Sequence, residues 1–352
     1  MINVEKEIGG KMLTLETGKI ARQSAGSVVL TYGETVLLVA VNAAKEARED
    51  IDFFPLQVEY REKHHASGKI PGGFFKREAR PTEGEVLTSR LTDRPIRPLF
   101  PKSFRNETQV IITVLQSDGE NISDTWAGVG ASAALLVSNI PWNGPIATVR
   151  VGMIGTDFIF NPTREQLDDC LLEMVVSGNK ENIVMVEGEA NEVKEEVIVN
   201  ALKFAHDQIL KIIQVQEELA DVVDIKKLEE PVSLKNLDLE KSFRGVVGDQ
   251  VDEIVRIVDK VERNDRKTEL VTNILEELEE QFPDEETYIK NLIDDTFRES
   301  MREMILSEGI RSDGRNTTDI RDIIIDPSIL KRVHGSALFT RGETQALVIT
   351  TL

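Results

Sequence analysis

GSVVLTYGETVLLVAV (residues 26–41) recurs as GSALFTRGETQALVIT (residues 335–350), and this repeat is the feature of the sequence that decides the fold. Eight of the sixteen aligned positions are identical. Each copy places a Gly-Glu-Thr turn between two apolar runs, which predicts a β-hairpin turning at Gly33 and at Gly342, where glycine can adopt a positive φ. An offset of 309 residues is far too long for a solenoid. The repeat therefore indicates a duplicated domain whose second copy is interrupted at Leu352, so that its last strands are poorly supported in isolation.

The residues that follow the first copy predict a mixture of strands and helices. A helix rich in small residues is predicted at 126–137, and a longer helix at 191–215. The first 220 or so residues therefore indicate an α+β or α/β fold. The predicted strands are 28–30, 36–41 and 110–115, followed by hairpins of 149–154 with 158–160 and of 173–176 with 183–186.

The pattern changes near residues 228–231, after which apolar residues recur at helical spacing. This spacing predicts a region of about three amphipathic helices with solvated acidic faces. One helix is predicted to start near Pro283, and Gly309 ends the last one. The first apolar positions step by four, three, four and three residues: Val247, Val251, Ile254, Val258 and Val261.

Charge is distributed unevenly along the 352 residues, whose net charge is −20. Residues 61–102 hold ten Lys/Arg against five Asp/Glu, whereas residues 251–300 hold seven against sixteen. A basic stretch inside an acidic chain can focus a polyanion onto one place. The single cysteine, Cys170, the absence of a signal-peptide pattern and the absence of a long apolar run predict a cytoplasmic protein without a membrane span.

The clearest candidate for ligand binding is the segment FFKREAR, residues 74–80, which follows Gly72 and Gly73. Exposed aromatic faces stack on bases and neighbouring cations hold phosphates, so this composition suits single-stranded nucleic acid. The alternative is a buried Phe pair beside solvated charges, and composition alone favours it. Arg90, Arg94 and Arg97 follow in a proline-rich stretch. They suit phosphate clamping through their planar forks, although an internal pair of Asp93 with Arg94 that fixes a loop is an equal alternative.

Other motifs carry less information about chemistry. GVGASA, residues 128–133, resembles a dinucleotide-binding fingerprint, but it does not directly follow a strand and is interpreted as helix packing. His64 and His65 are adjacent and are predicted to be exposed loop residues. No phosphate-binding P-loop and no nucleophile–base pair stands out. The residues alone therefore predict a binder of RNA or another polyphosphate.

Several segments together resemble the polynucleotide phosphorylase family (polyribonucleotide nucleotidyltransferases), specifically its N-terminal portion. The resemblance spans essentially the whole chain and is weakest in the helical region. The segments that carry it are 20–23 (IARQ), 52–56 (DFFPL), 74–85 (FFKREARPTEGE), 94–101 (RPIRPLFP), 130–135 (GASAAL) and 335–347.

The resemblance implies a fold and a domain order. The fold is an α+β ribonuclease PH-like core, with the βαβ arrangement of ribosomal protein S5 domain 2, followed by an all-α helical domain. The first core would span 1–225, with subdomains of about 1–145 and 146–225. The helical domain would span 240–308, and 311–352 would begin a second core.

The resemblance also implies an activity. Members of the family degrade single-stranded RNA in the 3′-to-5′ direction by phosphorolysis, releasing nucleoside diphosphates, in mRNA degradation and RNA processing. Inorganic phosphate is the co-substrate and Mg²⁺ assists. Three subunits form a homotrimeric ring around an RNA channel, and association with an RNA-degradation complex is expected.

Family roles carry over to particular residues of this sequence. The loop that grips RNA at the channel mouth corresponds to Phe74, Phe75, Lys76, Arg77 and Arg80, with Lys76 departing from the family's arginine. Arg94 and Arg97 complete the expected RNA-binding set.

The same comparison implies that the first core does not cleave RNA. The metal-linked aspartate pair would lie beyond Leu352, and the approximately corresponding stretch here holds Glu165 and Leu171. Ser123-Asp124-Thr125 replaces the phosphate-binding serines, and an aspartate there would repel phosphate. The chain alone is thus predicted to lack catalytic and metal-binding residues, and to guide RNA and build the ring. The alternative is a noncatalytic RNA-binding scaffold that ends naturally at Leu352, although a stop inside an apolar strand argues for truncation.

Overall fold

The first copy of the repeat forms two central strands of a six-stranded sheet in the first of the chain's two units, Met1–Ser233. The computed structural model describes residues 1–48, 51, 53–223, 225–229, 236–283 and 285–352. The predicted turn at Gly33 is confirmed, with φ of 60°. The strands are β1 (Ile2–Ile8), β2 (Lys11–Thr17), β3 (Gly26–Tyr32), β4 (Thr35–Ala43), β5 (Leu56–Glu62) and β6 (Thr108–Gln116).

This sheet has the order β1-β2-β3-β4-β6-β5, and every neighbouring pair is antiparallel except β5 with β6. A parallel pair needs a crossover, which helix α1 (Glu83–Ile96) provides between β5 and β6. The strands β1, β2 and β5 and the helix α1 lie outside the sequence prediction. The segment that was expected to be a proline-rich loop around Arg90 is helical as far as Ile96.

A second sheet of the first unit has the order β10-β9-β7-β8. Both hairpins predicted for this region are confirmed, and all neighbours are antiparallel. The long helix begins at Glu195 and ends at Val223, later at both ends than predicted. The elements are α2 (Asp124–Leu136), β7 (Ala147–Ile154), β8 (Asp157–Phe160), α3 (Arg164–Leu167), β9 (Leu172–Gly178), β10 (Ile183–Ala190) and α4 (Glu195–Val223).

Helix α2 lies at the centre of the first unit and packs against β3, β4 and β7. Its small residues permit this close approach, as predicted for GVGASA. A Cβ added at Gly130 would lie 2.7 Å from Cγ2 of Val39, and one at Gly128 would lie 2.5 Å from Oγ1 of Thr148. Within the described chain these glycines are buried packing positions rather than a phosphate loop.

The described residues of the second unit, Leu234–Leu352, contain four helices rather than about three. Gly248 ends the first of them, and the apolar stripe that was predicted as continuous is divided among three helices, with Val247 in the first, Val251 and Ile254 in the second and Val261 in the third. Val258 and Val261 are 60% and 65% exposed, and their assignment to the buried stripe is wrong. Gly309 caps the last helix with φ of 70°, as predicted. The helices are α5 (Leu237–Val247), α6 (Gln250–Val255), α7 (Lys260–Glu279) and α8 (Glu286–Glu308).

The second copy of the repeat forms a hairpin that turns at Gly342, where φ is 59°, as predicted. Its strands belong to a three-stranded antiparallel sheet of β11 (Ile323–Pro327), β12 (Gly335–Arg341) and β13 (Thr344–Thr350). Ile323, Ile325 and Val348 remain more than half exposed, as expected for a sheet whose apolar face is not covered. Of the predicted domain boundary, Glu230 and Pro231 lie outside the described residues. No helix in the described ranges is long and apolar enough to span a membrane.

Candidate nucleic-acid interface

The aromatic loop, residues 70–80, exposes its two phenylalanines. Phe74 is 94% exposed and Phe75 is 76% exposed, so the buried-Phe interpretation is wrong. The two rings contact each other edge to face, with centroids 5.3 Å apart. Gly73 has φ of 73°, a conformation that favours glycine. Because exposed aromatic pairs leave apolar area in water, a pair on a loop tip marks a contact surface.

Cations surround the aromatic pair. Lys76, Arg77 and Arg80 are all exposed, and none of them forms an ion pair within the part of the chain that the structure describes. Unpaired cations on a loop can each take a phosphate without first breaking an internal salt bridge. The loop therefore offers stacking faces and phosphate ligands together, as single-stranded nucleic acid requires.

The C-terminal arm of the loop is fixed by a capping box that the sequence analysis missed. Thr82 caps α1, accepting from the Glu85 N–H at 3.2 Å, while the Glu85 carboxylate accepts from the Thr82 N–H at 2.6 Å. The same carboxylate accepts from the Glu62 N–H at 2.8 Å, which joins the helix start to the end of β5. Burial raises the pKa of Glu85, but the hydrogen bonds from the Thr82 and Glu62 N–H groups outweigh it and hold the pKa below its ordinary value. The Thr-x-x-Glu spacing was the signal available in the sequence.

Arg94 and Arg97 differ in how firmly the protein holds them. Nη1 of Arg94 donates to Glu187 at 3.2 Å, and both side chains are more than half exposed. Such a surface pair is worth only about 0–1 kcal/mol, so a phosphate can replace the carboxylate at little cost. Arg94 is thus available for RNA.

Arg97, by contrast, is engaged within the fold. Its guanidinium forms two hydrogen bonds with Asp93, at 2.9 and 2.7 Å. It also donates to the carbonyl oxygens of Phe54 and Leu56, at 3.1 and 3.0 Å. The predicted internal pair of Asp93 with Arg94 is wrong, because Asp93 pairs with Arg97, and the guanidinium of Arg97 fixes the start of β5. An RNA contact by Arg97 stays a prediction of the family resemblance.

A cleft of about 350 Å³ lies between α1, β9 and β10, where the first core would be expected to hold phosphate. Arg150 pairs with both Asp124 and Glu173 in this cleft, so its charge is already compensated. The carboxylate of Glu189 adds negative charge, whereas that of Glu187 is paired with Arg94. Coulomb repulsion would oppose a phosphate or a diphosphate here.

The residues beside Asp124 are not free to bind phosphate either. The hydroxyl of Ser123 lies 2.6 Å from that of Tyr60, and Thr125 is only 2% exposed. Burial is the largest cause that raises the pKa of Tyr60 far above its ordinary value, so Tyr60 stays protonated and neutral. The cleft therefore combines an acidic lining with two hydroxyls that cannot reach a phosphate, because that of Ser123 is hydrogen-bonded to Tyr60 and Thr125 is buried.

The resemblance predicts no magnesium site in the first core, and this stays a prediction. Glu165 is exposed on α3, and Leu171, which the resemblance compares approximately with the second acid, is 43% exposed. The described residues contain no group of three or more His, Cys, Asp and Glu side chains arranged to hold a metal ion. No step of the chemistry can be assigned to a metal on these residues.

Comparison with known proteins identifies the type of fold first. Residues 9–141 match the family model described as 3′ exoribonuclease family, domain 1, and residues 144–208 match domain 2 of the same family. The first unit therefore has the ribonuclease PH-like α+β fold. Residues 238–316 match the model described as polyribonucleotide nucleotidyltransferase, RNA binding domain. The crystal structure of rice (Oryza sativa) Rrp46 gives a TM-score of 0.47 at 14% identity, covering 58% of this chain and 93% of that one.

Relatives along the whole sequence identify the family. The polyribonucleotide nucleotidyltransferase of Geobacter sulfurreducens is 48% identical over 349 residues, covering 99% of this chain and 50% of that protein. The proteins of the same name from Geotalea uraniireducens and Thermus thermophilus are 47% and 44% identical to this chain, and each match covers 99% of this chain and 50% of the relative. This chain belongs to the polyribonucleotide nucleotidyltransferase family and corresponds to its N-terminal portion. It spans about half the length of the curated relatives it matches.

Proposed function

We propose that this chain is the RNA-guiding and ring-building portion of a phosphorolytic 3′-to-5′ exoribonuclease. The whole protein would remove nucleotides from the 3′ end of single-stranded RNA in mRNA degradation, with inorganic phosphate as co-substrate and nucleoside diphosphates as products. The observation that carries this proposal is the aromatic loop, where two exposed phenylalanines lie among unpaired cations. Membership in the family supports the type of reaction.

The first core would guide RNA and not cleave it. In support, Arg150 is neutralised by Asp124 and Glu173, and Glu165 and Leu171 stand approximately where the resemblance expects the acid pair. Mg²⁺ would then act at residues outside this chain. A homotrimeric ring, docking to an RNA-degradation complex and a cytoplasmic location are further parts of the proposal. They rest on the family and, for the location, on the single cysteine. The domain limits given above, 1–225, 240–308 and 311–352, belong to the same proposal.

The RNA-binding residues would be Phe74, Phe75, Lys76, Arg77 and Arg80, with Arg94 in the last turn of α1 and Arg97 directly after the helix. RNA would enter with its bases on the two rings and its phosphates on the cations. Stacking is worth about 1–3 kcal/mol per base, and it does not depend strongly on salt. Each phosphate contact instead contributes about 0.7 to the slope of log affinity against log salt for a single strand.

The two contributions can be separated by mutation of the 352-residue chain. Phe74→Ala with Phe75→Ala should weaken the binding of a single-stranded oligoribonucleotide about tenfold or more at every salt concentration, with little change of slope. Lys76→Ala with Arg77→Ala should reduce the slope by about 1.4. Fluorescence anisotropy over a salt series measures both quantities.

Controls for the two double variants come from the same chain. Phe53→Ala removes a phenylalanine that is 62% exposed outside the loop, and Lys45→Ala with Lys102→Ala removes two exposed cations elsewhere. Both controls should bind like the parent. If the two loop variants also bind like the parent throughout the salt series, the loop is not an RNA contact and the proposal fails.

A further inference from the structure

Both arms of the aromatic loop are attached to one residue, His64. On the N-terminal arm, the carbonyl oxygen of His64 accepts from the Lys69 N–H at 3.0 Å. On the C-terminal arm, the Glu78 carboxylate accepts from the His64 N–H at 3.3 Å, and its second oxygen lies 3.0 Å from Nδ1 of the imidazole. His64 therefore closes the loop at both ends.

The eight residues between these attachments are not held by polar contacts in the described part of the chain. Among the residues that the structure describes, 70–77 form no hydrogen bond or ion pair with the rest of the unit. Beyond Glu78, the chain is held again, because Nη2 of Arg61 donates to the carbonyl oxygen of Ala79 at 2.7 Å. The loop thus has a fixed base and a free tip, and the tip carries Phe74 and Phe75.

We propose that His64, through its contact with Glu78, is a positioning residue that holds the aromatic loop ready for RNA. This inference rests on the proposed function of the loop. His64 would not touch RNA. It would confine the ends of the tip, so that less conformational entropy is lost when the bases stack on the rings.

The Glu78 side chain also explains why the contact involves histidine. An acid two residues from Lys76 and Arg80 would otherwise face the same phosphates as these cations and repel them. The hydrogen bond from the His64 side chain lowers the pKa of Glu78 and orients its carboxylate toward the base of the loop. The contact therefore ties the loop and directs the acid away from its tip.

The imidazole is tested with two variants and a neighbouring control in the 352-residue chain. His64→Ala removes the side-chain contact and keeps the backbone. His64→Asn is the rescue variant, since an asparagine amide can donate from nearly the position of Nδ1. His65→Ala removes the adjacent exposed histidine, whose ring has no hydrogen bond in the described part of the chain.

We expect His64→Ala to weaken oligoribonucleotide binding about 2- to 12-fold, the range for one lost hydrogen bond. The salt slope should not change, since no phosphate contact is removed. His64→Asn should restore most of the affinity, and His65→Ala should have no effect. In the Phe74→Ala, Phe75→Ala background, His64→Ala should produce a smaller loss, because the loop then has no rings to position and only the repulsion by Glu78 remains.

Limited trypsin digestion gives a readout that does not depend on RNA. Cleavage after Lys76 and Arg77 should be faster in His64→Ala than in the parent, His64→Asn or His65→Ala, since freer loop tips are cut more readily. An unchanged cleavage rate would overturn the inference. Unchanged RNA affinity in His64→Ala, with weak binding by the Phe double variant, would also overturn it but leave the proposed function intact. Parent-like binding by the Phe double variant would refute the proposed function. The digestion would then show only whether the contact of His64 with Glu78 restrains the loop.

Discussion

Replacing Gly130 by alanine tests the close packing of α2 that excludes a dinucleotide site. The added Cβ would lie 2.7 Å from Cγ2 of Val39, a distance that real Cβ atoms do not adopt, and Val39 is completely buried. Either the helix or β4 must therefore move. Overpacking of this kind costs about 1–3 kcal/mol, and the better helix propensity of alanine offsets about 0.8–1.0 kcal/mol of it. We expect the free energy of unfolding to fall by roughly 0–2 kcal/mol.

Gly84→Ala is the matched control, because Gly84 lies in α1 and a Cβ there would meet nothing within 4 Å. It should leave the stability unchanged or raise it by up to about 1 kcal/mol. Urea unfolding followed by tryptophan fluorescence measures both variants. The only two tryptophans, Trp126 and Trp142, are buried in the first unit and report on it alone. If Gly130→Ala were as stable as Gly84→Ala, α2 would not approach β4 so closely, and the packing interpretation of residues 128–133 would be refuted.

Two further predictions concern the supports of the first unit. In Glu85→Gln, the dependence of stability on pH should become flatter below about pH 4.3. Because the pKa of Glu85 is lowered in the folded protein, its carboxylate contributes its full stability above the ordinary pKa of a glutamate, and this stability is lost as the pH falls through the folded pKa. The free energy of unfolding is measured during an acid titration. A parallel fall in the parent and in Glu85→Gln would contradict the prediction. Lys227→Met should lower stability by about 1–3 kcal/mol near neutral pH, because Nζ donates to the carbonyl oxygens of Leu135, Leu136 and Ser138 at 2.7, 3.1 and 2.7 Å. Exposed Lys226 gives the control variant, and equal urea midpoints for the two would refute the capping role of Lys227.

Local sequence patterns predicted the elements whose structure depends on residues close together in the sequence. The Gly-Glu-Thr turns and the four strands of the second sheet were visible in the sequence because a β-hairpin contains both its strands and its turn. The small residues of α2 likewise indicated a close neighbour. The prediction for Val258 and Val261 was wrong, because apolar residues can keep their helical spacing across a helix break such as Gly248.

The candidate site was only partly visible for a different reason. Phe74 and Phe75 have the composition of a stacking surface, but composition cannot show whether two phenylalanines are buried, and their exposure depends on the base of the loop. That base joins residues distant in sequence, such as Arg61 with Ala79 and His64 with Glu78. In the same way, Asp93 pairs with Arg97 and not with Arg94, because the helical backbone places residues four apart on one face.

The most direct test of the account is a phosphorolysis assay of the 352-residue chain. A single-stranded RNA is incubated with the chain, inorganic phosphate and Mg²⁺, and the release of nucleoside diphosphates is measured beside RNA binding in the same mixture. The account predicts binding that requires Phe74 and Phe75 and no release of nucleoside diphosphates, because the acidic lining of the first core's cleft repels phosphate and the described residues contain no group of three or more side chains arranged to hold a metal ion. Sustained release of nucleoside diphosphates by this chain would contradict it.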